Sequence, residues 1–207
     1  LFLGPMQIWC WKAIWEILDG GIWGVLETTD GETMRVALMA LKNELRNWYS
    51  HWPRTNPGES ITQISKITEH MIGSRGEFGL KTKAMETWGL MLFLLDMLAK
   101  YSAVLETVVV ETLLESGRCL ERYVRLIKAN PCVLPDHVLR EMSDLWLRHM
   151  VLIRAWDAYR PKHHLMFHVN DRAASQGNPW SYHTFLDESL NKVLKKRLRL
   201  CPVSYTH

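Results

Sequence analysis

Near the start of the chain, Ile8, Trp11, Trp15 and Leu18 recur at spacings of three and four. Pro5 stands ahead of them, where a first helical turn accepts it, and Gly20-Gly21 ends the run. The same period returns in Met34, Leu38, Leu41, Leu45 and Trp48, which predicts a helix over 33–48 that Pro53 and Gly58 should break. A further helix is predicted over about 60–71. Gly73, Gly76 and Gly79 then surround a flexible connector, "SRGEF". Helical patterning resumes from Leu80 to about Tyr101 and again from about Ala103 to Ala129, where Asn130-Pro131 stops it. Pro135 or Asp136 restarts it, with Leu139, Met142, Leu145, Trp146 and Met150 on one side. Arg160-Pro161 forces a bend. The stretch 163–169 reads as a helical turn or as a short strand, and periodicity does not separate the two. After Gly177-Asn178-Pro179 a last helix is expected over about 181–200.

This pattern describes a mainly α protein: a multi-helix single domain, with at most a short strand near 163–169. A helical body is expected over 1–160, followed over 161–207 by a segment with different chemistry. At 207 residues there is room for a real core, and ten Trp with ten Met argue against disorder. The most apolar stretch, "GLMLFLLDMLA", contains Asp96 and is followed by Lys100, short of the roughly 20 apolar residues of a membrane span. It reads as a buried helix, and no membrane contact is expected. Cys10, Cys119, Cys132 and Cys201 are far apart and form no Cys-x-x-Cys pair, which points to a reducing, intracellular setting. The chain opens without Met inside an apolar run, "LFLGPMQIW", and is expected to be part of a longer protein.

A formal charge of +3 permits nucleic-acid contact without requiring it, so the placement of charge matters more. Lys192, Lys195, Lys196 and Arg199 fall along one side of the expected last helix, with Arg197 beside them, and such a stripe suits a phosphate backbone as well as a solvated face. Just before it lie Asp187 and Glu188. Glu188 pairs with Lys192 at i,i+4 on the plain reading; as a carboxylate ligand it would suit Mg²⁺, although one acid is not a site. His164 and His168, also at i,i+4, share a face if helical, with His163 adjacent. A metal would need another ligand, so hydrogen bonds that orient a neighbouring loop are the favoured role. "KTKAMETW" reads as a polar first turn leading into a core helix.

Taken together, "PKHHLMFH", with Pro161, Lys162, His163, His164 and His168, and "WSYHTFLDESLN", with Trp180, Tyr182, Phe185, Glu188 and Asn191, resemble the C-terminal half of certain cut-and-paste DNA transposases. These enzymes carry an Asp-Asp-Glu triad on an RNase H-like fold, and the likeness is to the Kyakuja-Dileera-Zisupton and CACTA-type groups. Lys83, Ala84, Glu86 and Trp88 are similar to a segment of the domain inserted between the second and third acids, with Trp88 displaced by one. The resemblance implies that the chain holds the helical insert and the last helix of the RNase H-like core. It makes Glu188 the third catalytic acid and a ligand of Mg²⁺ or Mn²⁺. Asp187 stands where the pattern has an aromatic or apolar residue, which leaves open which acid takes the position. It further implies DNA as partner, with a homo-oligomer left open, and a nuclear location. The first two aspartates would precede Leu1, so the chain alone is expected to be inactive. The alternatives are a helical interaction or scaffold protein, or a decayed mobile-element remnant.

Overall fold

The computed structural model describes residues 1–24, 31–105, 108–156 and 159–181. Helix α1, Gln7–Asp19, lies inside the molecule because its sequence is apolar nearly all round. Trp9, Cys10, Ala13, Ile14, Ile17 and Leu18 are all buried. Trp11, expected on the core face, is only partly buried. Its indole N–H donates to the Ser74 carbonyl at 2.9 Å, and its ring meets Phe78 edge-on, so it docks the glycine connector onto α1. A wide turn, Phe2–Met6, precedes α1 and contains Pro5.

Helix α2, Gly31–Thr55, is amphipathic, with Leu38, Leu41, Leu45, Tyr49 and Trp52 turned inward. It runs past Pro53, which falls in its last turn, and ends two residues later. The helix expected over 60–71 is mostly absent: only Glu69–Ile72, α3, is helical, and the Thr68 hydroxyl caps it by accepting from the Met71 N–H at 3.3 Å. Two causes act together. Ile61, Thr62, Ile64, Ile67 and Thr68 are β-branched and weak helix formers. The segment is also held out of a helix by outside contacts. Tyr49 Oη accepts the Ile64 N–H at 3.1 Å, and the Thr62 carbonyl lies against Gly89 of the next helix. The connector that follows closes on itself at Gly73, where φ is +75° and a Cβ would stand 2.7 Å from Gly79 Cα.

Helix α4, Ala84–Leu105, is the apolar axis of the fold. It is long and apolar enough to cross a membrane by length and composition, but 61% of its most apolar window is buried within the protein. Asp96 and Lys100 lie on its exposed side, where Asp96 accepts from Trp48 Nε1 at 2.6 Å and Lys100 pairs with Glu44 at 2.7 Å. Lys83 and Glu86 form the expected polar first turn, the Lys83 N–H donating to Glu86 Oε2 at 2.9 Å.

Helices α5, Val108–Ala129, and α6, Asp136–Ile153, form the most extensive helix pair, and α7, Pro161–Gln176, packs on α6. Gly117 makes room for Trp9: a Cβ there would stand 2.3 Å from the indole, whose N–H donates to the Leu113 carbonyl at 2.9 Å. The stretch 163–169 is therefore helical. The described residues contain seven α-helices and no strand, so no part of an RNase H-like sheet lies among them.

Candidate functional site

The histidine segment opens α7, and the structure divides its residues by role. Pro161 occupies the first helical position, where its missing N–H costs nothing. Lys162 Nζ donates to the Leu3 carbonyl at 2.7 Å and its stem lies over Gly4, tying α7 to the N-terminal turn. His163 is 1% exposed, and its Nδ1 accepts the Arg160 N–H at 3.1 Å, capping the helix and fixing the entering chain. This bond to the entering chain is made by His163. His164 and His168 are exposed, with ring centroids 5.0 Å apart and planes near perpendicular. Among the described residues no group of three His, Cys, Asp or Glu could hold a metal ion.

Sequence reasoning missed the partner of His163. His149 of α6 is 1% exposed and stacks with His163 at 5.8 Å, while Trp146 and Tyr159 stack on His163 at 6.1 and 5.9 Å. His149 Nδ1 lies 2.7 Å from Ser116 Oγ, and its Nε2 has no partner. Burial, reinforced by His163, pushes the His149 imidazole down to about 3; burial pushes His163 down to about 4 against the opposing Arg160 hydrogen bond. Both rings are neutral at physiological pH. Ser116 and His149 have the separation of a nucleophile and its base. With Ser116 fully buried in the seam, however, no substrate reaches it, and the pair is structural.

The second construction lies where α7 ends. Gly177 turns the chain with φ +86°, and a Cβ there would stand 2.7 Å from the Cys132 carbonyl oxygen. Asn178, 1% exposed, then enters the C-terminal end of α5. Its Nδ2 donates to the carbonyls of Ile127, Asn130 and Pro131 at 2.7, 2.9 and 3.2 Å. Its backbone N–H donates to Cys132 at 2.6 Å, and its Oδ1 accepts the Trp180 N–H at 2.9 Å. One side chain thereby satisfies the carbonyls that a helix end leaves open and fixes the turn that follows. The sequence signal was there, since Asn in a Gly-Asn-Pro turn commonly bonds the backbone two residues on. In the sequence that stretch served only to place a following helix.

Trp180 extends this anchor. The Lys128 ammonium sits 5.2 Å from the Trp180 ring centre and 4.6 Å from that of Trp88, and Phe2 meets both indoles edge-on. Arg125 approaches Trp88 from beside it at 5.9 Å while pairing with Glu59 and Glu121. Desolvation lowers the Lys128 ammonium below its usual range. The start of the aromatic stretch is therefore docked on a cation held between two indoles. Asp187, Glu188, Asn191, Lys192, Lys195, Lys196, Arg197 and Arg199 lie outside the described residues.

Nothing among protein-family models, curated proteins or solved structures matches this chain.

Proposed function

We propose that the chain is the helical, DNA-facing part of a transposase-like protein with an Asp-Asp-Glu site. The observation that supports this reading is the anchor at Asn178. A connecting turn can leave its direction to solvent and entropy, whereas this one spends a buried amide, a positive-φ glycine and a cation between two indoles on where the chain leaves Trp180. Such an outlay suits a following segment whose position matters, and that segment carries the residues of the resemblance. In this reading Glu188 contributes one carboxylate to Mg²⁺ or Mn²⁺, with Asp187 as its rival, and Asn191 completes the Glu-x-x-Asn pattern of the resemblance. His163 orients the entry to α7. Lys192, Lys195, Lys196, Arg197 and Arg199 hold DNA backbone.

The described residues offer no carboxylate cluster that fits a metal pair, so no phosphoryl transfer is assigned to them. DNA binding is the activity to test. The 207-residue chain should bind a short fluorescein-labelled duplex, with affinity falling steeply between about 50 and 200 mM salt. Joint replacement of Lys195, Lys196 and Arg199 by Ala should flatten that dependence, removing roughly 2 to 3 from the logarithmic slope. Salt-independent binding, or a variant that binds as the parent does, would defeat the reading.

A second reading, a helical interaction module, draws support from Leu147 and Val151, one turn apart on α6 and 55% and 60% exposed. It gains ground if Leu147→Asp disrupts self-association in sedimentation while DNA affinity is absent from the parent.

A further inference from the structure

Apart from the anchor and the histidine seam, the molecule has a groove of about 230 Å³ between α2 and residues 63–67. Tyr49 and Ile64 form part of its floor and are locked together, because Tyr49 Oη accepts the Ile64 N–H. Lys42 and Arg46 stand on one wall, one helical turn apart, and Gln63 and Ser65 on the other. No carboxylate lines the groove among the described residues, and neither cation is in an ion pair there. This contrasts with the other side of the same helix, where Glu44 neutralises Lys100.

The segment that builds the second wall has a further property. Because residues 60–67 are neither helix nor strand, their backbone donors are not used up internally. Of Gln63, Ile64 and Ser65, only the Ile64 N–H is bonded, and it points down to Tyr49. The groove thus brings an amide side chain and hydroxyls beside two cations that have no ion pair, which is a donor set without competing acceptors of full charge.

We infer that this groove binds the phosphate oxyanions of a nucleic-acid strand. Leu45, Tyr49, Ile64 and Ile67 supply the apolar part of the lining, and the cations and donors beside them suit the charge of a backbone phosphate. The groove is partly open to solvent, as access by a strand requires. Two long cationic side chains one turn apart reach neighbouring phosphates of one strand, and Arg46 adds a planar fork for paired oxygens. The inference concerns residues far in sequence from 187–199 and does not rest on the catalytic reading.

The test compares Lys42→Ala/Arg46→Ala with Lys195→Ala/Lys196→Ala/Arg199→Ala on the same labelled duplex. The groove variant should bind roughly tenfold more weakly near 0.1 M salt, with a logarithmic salt slope smaller by about 1.8. Its urea midpoint should match the parent, because neither side chain is buried. Weakening in the groove variant alone upholds the groove and removes the basic run; weakening in the basic-run variant alone overturns the groove and leaves the run. Unchanged affinity in both overturns both. Inorganic phosphate, followed by ³¹P line width, separates the sources. Broadening that needs Lys42 and Arg46 while DNA affinity does not assigns the groove to free phosphate and overturns the nucleic-acid inference.

Discussion

The Asn178 anchor and the His149–His163 seam are both buried polar constructions, and they differ in how completely their polar atoms are paired. Every polar atom of the Asn178 side chain has a partner: Nδ2 reaches three carbonyls and Oδ1 accepts one N–H. In the seam, His149 Nε2 has none, and the two imidazoles rely on stacking and on bonds made through Nδ1 to a single residue each, Ser116 and Arg160. A fully paired polar group fixes geometry at any pH near neutral. A half-paired stack of neutral imidazoles holds only while protons stay off it. The same fold therefore contains one insensitive anchor and one acid-sensitive joint.

The anchor is the place to break that comparison with the largest effect. Asn178→Ala removes the amide and strands the α5 carbonyls in a buried site. The expected loss is about 3 kcal/mol in urea unfolding, the sum of several unsatisfied groups after partial relaxation. Asn178→Asp is the sharper variant. It keeps the acceptor for the Trp180 N–H but turns a carboxylate oxygen toward three carbonyls, so it should be at least as damaging as Ala. A milder Asp than Ala would mean that the bond to Trp180, and not the cap on α5, is the important one.

The seam sets the pH dependence. In the unfolded chain each imidazole takes up a proton near its ordinary value of about 6.5. In the fold, His149 resists protonation down to about 3 and His163 down to about 4. As pH falls below 6.5 the unfolded state binds more protons than the folded one, so stability drops progressively toward pH 4; above 6.5 the two states match and the full stability is present. Urea midpoints measured from pH 7 to 4 should show this fall, and His149→Phe should make it shallower. An unchanged slope in that variant would place the acid sensitivity elsewhere.

Much of the fold was legible because its helices bury regular stripes, and those stripes are what periodicity detects. The start at Pro135 or Asp136 and the stop at Asn130-Pro131 are local chemistry, and the structure has them where proline and cap residues imply; at Pro161 the pattern implied only a bend, and the structure begins a helix there. Three features were not legible, each for a physical reason. Residues 60–68 look helical in polarity, yet contacts from Tyr49 and Gly89 hold them out of a helix. His149 lies on the buried stripe of α6 as a polar residue, so a hydrophobic pattern passes over it although it stacks in the core. Lys128 matters only through Trp88 and Trp180, forty and fifty-two positions away, a meeting that no local window contains. The two exposed histidines, conspicuous in the sequence, make fewer contacts than the buried one.

The smallest effect separates the two halves of the anchor itself. Lys128→Met keeps a flexible stem of similar length between Trp88 and Trp180 but removes the charge over their rings. Cation–π attraction at a partly desolvated site is worth roughly 0.5 to 2 kcal/mol, and the ammonium here already bears a desolvation cost that its lowered pKa records. The two terms oppose each other, so the net loss should be about 1 kcal/mol or less in urea unfolding, well below that of Asn178→Ala. Indole emission should shift, because two of the ten tryptophans lose a neighbouring charge. A loss equal to that of Asn178→Ala would mean that the hydrogen-bonded cap and the cation between the indoles act as one unit, and the double variant would then cost no more than either single change.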